Sequence, residues 1–438
     1  GWRVSQEPFW KVPEEIFSNL KVRASYGSLG NGNIDPYSFQ ELFKIKQSSL
    51  VLNGIRPQYT GQPAVIPLGL TWEKSTTLNL GLDFAFLSNR LQFSGDIYQR
   101  KTTDMFTVGM SLPAVFGTDV PKGNYADLTT KGFELSVSWR DQFQLASKPF
   151  NYEVRFTLAD YQSTIDKYNN PEKKLGDDYY YEGMKVGEIW GYETEGFFTS
   201  QADIDSHAKQ PYFYAGATAG QWLPGDIKFK DLNGDGVIDY GNNTVDNPGD
   251  QKIIGNSEPR FIYGINLSGD WNNFFVSAFF QGVGKQDWWP GSEASYFWGM
   301  YNRPYNDMPK SHLGNIWTEE NPNTYFPRLR GYSSEEPYAE LNLKQTRYLQ
   351  NIAYIRMKNI QLGYTLPKSF ISKLRMQNAK VYVSGENLWS WSPFYKYSKD
   401  LDVEAVRGSD RDLTEGTSGN GYSYPILKSV SFGLSVTF

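Results

Sequence analysis

The sequence predicts an all-β chain whose strands form part of an antiparallel transmembrane β-barrel. Three observations predict this class. Apolar and polar residues alternate in repeated strand-length segments, short and long links between these segments alternate strictly, and the last strand ends with the chain on an aromatic residue, Phe438. An aromatic content of 16% also suits interfacial belts and a lumen better than a few ordinary cores.

The final segment shows the alternation most clearly. Apolar residues occupy one face and small or polar residues the other: Val430, Phe432, Leu434, Val436 and Phe438 against Ser429, Ser431, Gly433, Ser435 and Thr437. In a soluble β-sandwich the apolar face would be the core. In a membrane barrel the apolar face meets lipid, so charged residues such as Lys21, Arg23 and Arg155 are expected to point into a wet lumen.

Link lengths favour the barrel, in which tight periplasmic turns alternate with long extracellular loops. Ten strands are predicted, at about 19–29, 75–87, 91–104, 124–140, 149–163, 260–270, 274–286, 349–364, 379–391 and 427–438. The short links fall at 87–90, 140–149, 271–273 and 367–379, and the long ones at 30–72, 107–123, 166–259, 287–345 and 392–425. A small barrel is filled by its own side chains, which suits these long loops poorly, so the closing arc of a larger barrel is expected. A secreted multi-domain β protein is the alternative on pattern alone.

Composition excludes several other classes. The net charge is −5, the isoelectric point is about 5.4, and no basic block is present, which argues against nucleic acid as a partner. No segment approaches the roughly 20 apolar residues of a membrane-spanning helix. The absence of Cys excludes disulfides and thiol catalysis. Because the sequence opens at Gly1 without Met or an export signal, we expect an earlier part of the protein to precede it.

Seven segments, in order along essentially the whole chain, resemble the SusC-like (SusC/RagA) family of TonB-dependent outer-membrane transporters. They are residues 20–34, 72–83, 98–104, 225–239, 254–259, 354–364 and 385–388. The resemblance implies that residues 1–438 are the C-terminal portion of a barrel of about 22 strands. The plug domain and the first strands would then lie outside this sequence.

The resemblance also implies a location and partners. The chain is expected in the outer membrane of a Gram-negative, Bacteroidetes-type bacterium, in contact with outer-membrane lipid. A SusD-like surface lipoprotein would close over the barrel, and the TonB complex would act through the missing N-terminal part. The implied activity is active import of a bulky nutrient, with an oligosaccharide favoured over a peptide by the aromatic content.

Two other functions remain open at this point. A siderophore or cobalamin receptor of the wider TonB-dependent group would require a different loop signature. A surface glycan-binding adhesin would transport nothing. An enzyme is not expected, because His207 and His312 are the only histidines and no nucleophile and base accompany them.

A calcium site is predicted in the segment from Asp231 to Asp239. Oxygen donors at positions 1, 3, 5, 7 and 9 and a Gly at position 6 follow an EF-hand loop: Asp231, Asn233, Asp235, the Val237 carbonyl, Asp239 and Gly236. Position 12 is Asn242 instead of Glu, and Asp246 or Asp250 is a candidate for the missing carboxylate. We expect a structural Ca²⁺ that orders the loop; an Asx-rich turn without metal is the alternative.

Aromatic residues in the long loops are the candidate substrate-binding residues. Flat rings suit the apolar faces of sugars. The candidates are Trp288, Trp289, Tyr296, Trp298 and Tyr301, which follow a strand that runs toward the extracellular side. The alternative is that these side chains pack their own loop or belong to the interfacial belt.

Overall fold

A computed structural model describes most of the chain. The described residues are 1–32, 37, 40–63, 65–66, 69–109, 115, 120–177, 179–211, 222–292, 294–303, 305, 307–335, 338–406 and 424–438.

Strands dominate the described residues. They are β1 (Trp2–Arg3), β2 (Phe17–Asn31), β3 (Ile45–Gln47), β4 (Gln58–Thr60), β5 (Glu73–Phe86), β6 (Leu91–Val108), β7 (Lys122–Leu145), β8 (Lys148–Lys167), β9 (Glu188–Tyr192), β10 (Thr194–Phe197), β11 (Ile227–Phe229), β12 (Gln251–Asn256), β13 (Arg260–Trp271), β14 (Phe274–Lys285), β15 (Asp287–Trp288), β16 (Gln350–Asn351), β17 (Tyr354–Thr365), β18 (Asn378–Trp391) and β19 (Ser429–Thr437).

Among the described residues, three short α-helices lie in the connections: α1 (Gln201–Ser206), α2 (Ser295–Trp298) and α3 (Lys368–Ile371). The Ser200 side chain caps α1 by accepting a hydrogen bond from the Asp203 N–H at 3.2 Å. Single 3₁₀ turns occupy Val4–Gln6, Gly299–Tyr301, Lys310–His312, Gly331–Ser334, Ser372–Leu374 and Pro393–Lys396. No helix among the described residues is both long enough and apolar enough to cross a bilayer.

One antiparallel sheet of 11 strands forms the frame of the fold. Its order is β1-β2-β5-β6-β7-β8-β13-β14-β17-β18-β19, and β1 adds only two residues to the edge of β2. The other ten are the ten strands predicted from the sequence. The predicted strand 349–364 is wrong at its start, because Gln350–Asn351 leaves the sheet and pairs with Asp287–Trp288 in the neighbouring loop.

Two of the four short links are two-residue hairpins. Ala146 and Ser147 join β7 to β8 with φ of 49° and 63°, and Asn272 and Asn273 join β13 to β14 with φ of 48° and 69°. Two consecutive positive φ values define the turn whose twist matches that of the flanking strands. The predicted link 140–149 is therefore too long, because β7 continues to Leu145 and only two residues turn. The strict alternation of short and long links is confirmed.

The sheet has one apolar and one polar face. Register places Ala24, Leu80, Ile97 and Phe133 side by side across four strands of one face. The neighbouring row of the other face holds Arg23, Gly81, Asp96 and Glu134. Large side chains of the apolar face are exposed along the sheet, among them Leu78, Leu80, Ile97, Leu267, Leu362, Val381, Phe432 and Leu434.

The main buried core lies in the long loops rather than on either face of the sheet. Segments 168–259, 286–353 and 392–406, here called the loop module, surround a cluster of fully buried side chains that includes Ile227, Phe229, Trp298, Tyr301, Phe326, Leu341, Tyr348 and Val406. A smaller cluster of Ile165, Leu175, Tyr181 and Met184 packs where β8 enters the module. The long loops therefore fold as a body with its own core.

Candidate functional site

The polar face of the sheet carries a charged triad. Arg23 donates from Nε and Nη2 to the two carboxylate oxygens of Asp83, at 2.8 and 2.9 Å. It also donates from Nη1 and Nη2 to Asp96, both at 2.7 Å. Gly81 lies between these side chains, and a Cβ there would come within 2.5 Å of the Arg23 guanidinium carbon. Glycine at this position makes room for the ion pairs.

A cavity of about 380 Å³ adjoins the triad toward the short turns. Most of its lining comes from polar-face side chains, including Asp83, Ser94, Ser136, Ser138 and Arg155. Charges on this face lie within hydrogen-bonding distance of each other and remain partly exposed. Such a surface suits contact with water or with another polar surface.

A buried charged cluster joins two segments of the loop module. The Asp226 carboxylate is fully buried and accepts hydrogen bonds from Nε of Arg328 at 2.5 Å and Nε of Arg330 at 2.8 Å. Glu340 lies beside them, and its Oε2 accepts from the Ile227 N–H at 2.9 Å. Two guanidinium groups thus flank the buried Asp226 carboxylate, and the Glu340 carboxyl group lies beside them.

Burial and the neighbouring Asp226 charge raise the pKa of Glu340 to about 8. The two arginines act in the opposite direction but do not cancel the effect of burial. A proton on Glu340 is therefore part of the folded module at neutral pH.

A second cluster holds the last loop against the polar face of the sheet. Arg356 on β17 contacts Asp402 at 2.7 Å and Glu404 at 2.5 Å. Lys358 and the Tyr354 hydroxyl donate to the same Glu404 at 2.6 and 2.8 Å. Leu401, Val403 and Val406 from this loop are buried in the main core. Segment 398–406 is thus fixed both by charge and by apolar packing.

Four of the five candidate aromatic residues pack inside the module. Trp298 and Tyr301 are fully buried and donate to backbone carbonyls of Pro290 and Pro327. Trp288 packs edge-on against Phe297 and Phe394, and Trp289 packs edge-on against Trp298. These contacts favour the packing alternative for the buried rings. Tyr296, with 56% of its surface exposed, is open to a large solute.

The predicted calcium loop folds as a series of Asx turns. Asp231 accepts from the N–H groups of Gly234 and Gly236 at 2.6 and 2.9 Å, and Asp235 accepts from Val237 at 2.8 Å. Within the part of the chain that the structure describes, no three acidic or His side chains converge as a metal site would require.

Asp250, one of the two carboxylates considered for the missing position, closes this loop. It is fully buried and accepts from the N–H groups of Leu232 and Asp239 at 2.7 and 2.9 Å. Burial raises its pKa, and the charge of Asp231 adds to the rise. Asp246, the other candidate, is exposed. A buried carboxylate next to further oxygen donors fits a hard cation such as Ca²⁺.

Both histidine side chains contact backbone carbonyl groups of the module. His207 Nε2 contacts the Phe229 carbonyl at 2.8 Å, and His312 Nε2 contacts the Phe297 carbonyl at 3.0 Å. Burial lowers the pKa of His312, which favours the neutral ring. These contacts give the two histidines structural roles.

The pattern that defines the family described as "TonB dependent receptor-like, beta-barrel" matches residues 9–388 of the chain. The chain belongs to this TonB-dependent receptor family. Its antiparallel sheet is part of the family's barrel fold, and the relationship to SusC-like receptors predicted from the sequence is confirmed.

Two curated relatives of this receptor chain illustrate the relationship. TonB-dependent receptor P3 of Formosa agariphila is 28% identical over 460 aligned positions, which cover 100% of the chain and 41% of P3. TonB-dependent receptor SusC of Bacteroides thetaiotaomicron is 24% identical, over 100% of the chain and 39% of SusC. The chain therefore spans about 40% of the length of these TonB-dependent receptors.

Solved structures of the same receptor type share the fold. A structure of the RagAB peptide transporter superposes with a TM-score of 0.72 and 19% identity, covering 100% of this chain and 42% of that one. The RagAB peptide importer in its "open-open" state gives a TM-score of 0.70 at 18% identity.

Neither the buried cluster around Asp226 nor the cluster around Arg356 was identified from the sequence of this TonB-dependent receptor chain. Asp226 and Arg356 both lie in segments that resemble the family, but their partners are distant in sequence: Arg328 is 102 residues from Asp226, and Asp402 is 46 residues from Arg356. Arg328 and Asp402 lie outside those segments, so no local pattern in the sequence points to either pairing.

Proposed function

We propose that this chain supplies the barrel wall and the surface loops of an outer-membrane transporter that imports a bulky nutrient. The observation that carries the proposal is the 11-stranded antiparallel sheet, of which one face exposes apolar side chains and the other carries charges. A lipid environment makes such a wide exposed apolar face favourable, and the strand alternation matches that of an outer-membrane barrel. The charged face with Arg23, Asp83 and Asp96 then lines the lumen.

Energy for import would come through the TonB complex. Membership in the TonB-dependent receptor family supports this part of the proposal. The plug domain and the remaining strands would come from the portion of the relatives' length that this chain does not span. The chain itself would hold the solute path and the extracellular loops.

A SusD-like surface lipoprotein is the proposed partner on the extracellular side. The loop module supports this, because it is a packed body with its own core at the ends of the strands opposite the tight turns. Exposed apolar side chains on the module, including Tyr296, Tyr305, Leu313 and Tyr338, are available to a protein partner or to a solute.

For the substrate we propose an oligosaccharide. The exposed tyrosines of the module and the polar face of the sheet beneath it support this choice. A peptide is the second candidate, because the related solved structures are titled as a peptide transporter and a peptide importer. Tyr296 is the proposed first substrate contact, and the partly buried Trp289 is the second; Trp288, Trp298 and Tyr301 would support them from the core.

We also propose that the loop from Asp231 to Asp239 binds one structural Ca²⁺. Side-chain oxygens of Asp231, Asn233, Asp235 and Asp239, the Val237 carbonyl and, at the closing position, Asp250 would hold it. The ion would offset the repulsion between Asp231 and the buried Asp250. Its role would be to order the loop.

The test is a pull-down of the full-length protein from its native outer membrane in mild detergent, with mass spectrometry of proteins and small molecules. We expect a SusD-like lipoprotein and a bound oligosaccharide or peptide. A siderophore-type receptor would be recovered without the lipoprotein. A surface adhesin would be recovered without detergent, and that result would overturn the proposal.

A further inference from the structure

Three lysines form a stripe on the apolar side of the sheet, above its apolar band. Lys74 on β5, Lys101 on β6 and Lys131 on β7 are all exposed. Each lies an even number of residues from a nearby apolar side chain of its strand, on the side of the long loops, so each points to the same face as that side chain: Leu78 for Lys74, Ile97 for Lys101 and Phe133 for Lys131.

Strand register makes the three lysines neighbours. Lys74 is paired with Thr103, two residues from Lys101, and Lys131 is paired with Gln99, two residues from Lys101 on the other side. Such diagonal neighbours in an antiparallel sheet lie roughly 7–8 Å apart. The ammonium groups therefore line one continuous diagonal across three strands.

The stripe runs along the edge of the apolar band. The unbroken apolar run of this face ends at Leu78 on β5, which is paired with Gln99, and one register step nearer the short turns at Ile97 on β6 and Phe133 on β7. The lysines step in the same direction from β5 to β7. They therefore follow the upper edge of the band, on the side of the long loops.

Within the described part of the chain, Lys74, Lys101 and Lys131 form no ion pair. On the next two strands, by contrast, Asp160 and Arg260 bind each other at 2.5 Å.

Polar side chains stand among the lysines. Thr76, Gln99, Thr103 and Thr129 alternate with them in the register, and Thr129 donates to Asp166 at the top of β8. Three adjacent cations with hydroxyl and amide groups between them are suited to a phosphorylated, hydroxylated headgroup.

We propose that Lys74, Lys101 and Lys131 bind the phosphate groups of an anionic glycolipid in the outer leaflet, whose acyl chains lie along Leu80 and Ile97. The inference rests on the proposed membrane position, because the apolar band must face lipid and the long loops must face the outside. The band holds the acyl chains, and the stripe holds the headgroup at the height where a leaflet ends.

The test uses the full-length receptor in nanodiscs, with lipid A as the probe, either phosphorylated or treated with phosphatase. The variant K74Q/K101Q/K131Q removes the charges. R100Q is the matched control, since Arg100 is paired with Thr77 and Thr130 on the opposite face of the same strand. We expect about fivefold weaker binding of phosphorylated lipid A for each lysine removed, so roughly 100-fold for the triple variant.

R100Q and K74R/K101R/K131R should bind phosphorylated lipid A as the parent does, and excess inorganic phosphate should not displace it. Equal binding of the two lipid A forms by the parent, or unchanged binding by the triple Gln variant, would overturn the inference. Competition by inorganic phosphate would indicate a free-phosphate site and would also overturn it. Heat-modifiable gel migration separates failure of this inference from failure of the proposed function. A receptor that migrates as a barrel but binds both lipid A forms equally would contradict the lysine site and leave the barrel proposal standing.

Discussion

Arg328 donates from Nε to Oδ1 of Asp226 at 2.5 Å, across 102 residues of sequence. Asp226 lies just before β11 in segment 168–259 of the loop module, and Arg328 lies in segment 286–353. The ion pair therefore joins the two loops inside the module, where neither the carboxylate nor Arg330 beside it is accessible to water. Removal of one charge from such a cluster leaves the others buried without compensation.

The variant D226N is expected to loosen the loop module. A broken buried ion pair costs about 3–5 kcal/mol, and here two guanidinium groups would lose a shared carboxylate. Limited proteolysis of the receptor should show faster cleavage within 168–259 and 286–353. D203N is the matched control, because Asp203 binds Lys228 in a partly exposed pair, which is worth about 1 kcal/mol or less. Equal protection of the two variants would contradict the account.

The raised pKa of Glu340 predicts a pH dependence of the module. Between the ordinary value of 4.5 and about 8, the folded module binds more protons than the unfolded chain, so its stability should fall as pH rises through this window. E340Q keeps the shape of the protonated side chain and should flatten this decline. The measurement is the rate of backbone hydrogen exchange in the module from pH 5 to 9. If the decline in stability persists in E340Q, a group other than Glu340 causes it.

In E340Q a loss of stability on acidification should remain. His312 is buried and its pKa is lowered, so the folded module binds fewer protons than the unfolded chain as pH falls below 6.5. Stability from this group is present above that value and decreases below it. Because the two effects have opposite signs in overlapping pH ranges, comparison of the parent with E340Q separates them.

Charge placed on the apolar face should impair assembly in the membrane. L434R or F156R should each cost about 2–4 kcal/mol if the residue faces lipid near the middle of the bilayer. The neighbouring substitutions S435R and T157R point to the polar face and are the controls. Heat-modifiable gel migration of membrane fractions is the measurement, and normal migration of L434R and F156R would contradict the assigned facing.

A metal in the loop from Asp231 to Asp239 should make that loop sensitive to chelators. D231N/D235N removes two of the proposed ligands but keeps side chains that can accept the Asx-turn hydrogen bonds. Protease cleavage between 226 and 259 should increase on addition of chelator in the parent and be high already in the variant. Cleavage that is the same in all four samples would favour turns without metal.

The strands were predictable because their signal is local. Each strand needs only the two-residue alternation of its own side chains, and Asn272-Asn273 is a turn by its own chemistry. The start of β17 was not predictable, because Gln350–Asn351 is drawn away by a partner more than 60 residues earlier, Asp287–Trp288. The end of β7 was missed because Asp141 interrupts the apolar face after Trp139, although Phe143 and Leu145 resume the alternation beyond it.

The site was less predictable because several environments select the same residue types. A lumen, a membrane interface and a loop core all take up Trp and Tyr, so Trp298 in the core and Tyr296 on the surface look alike in the sequence. The pairing of Asp226 with Arg328 depends on how two loops meet, and no local pattern records it. The acidic loop was visible from spacing alone, but the choice of Asp250 over Asp246 required the fold.

The central claim is that this sheet is the wall of an outer-membrane barrel, and alternating accessibility along β19 tests it most directly. The chain contains no Cys, so single cysteines can be introduced at 431, 432, 434 and 435, in a full-length background free of other accessible thiols. Membranes are then treated with a water-soluble maleimide. The account predicts labelling at 431 and 435 and protection by lipid at 432 and 434. Equal labelling at all four positions, or the reverse order, would contradict it.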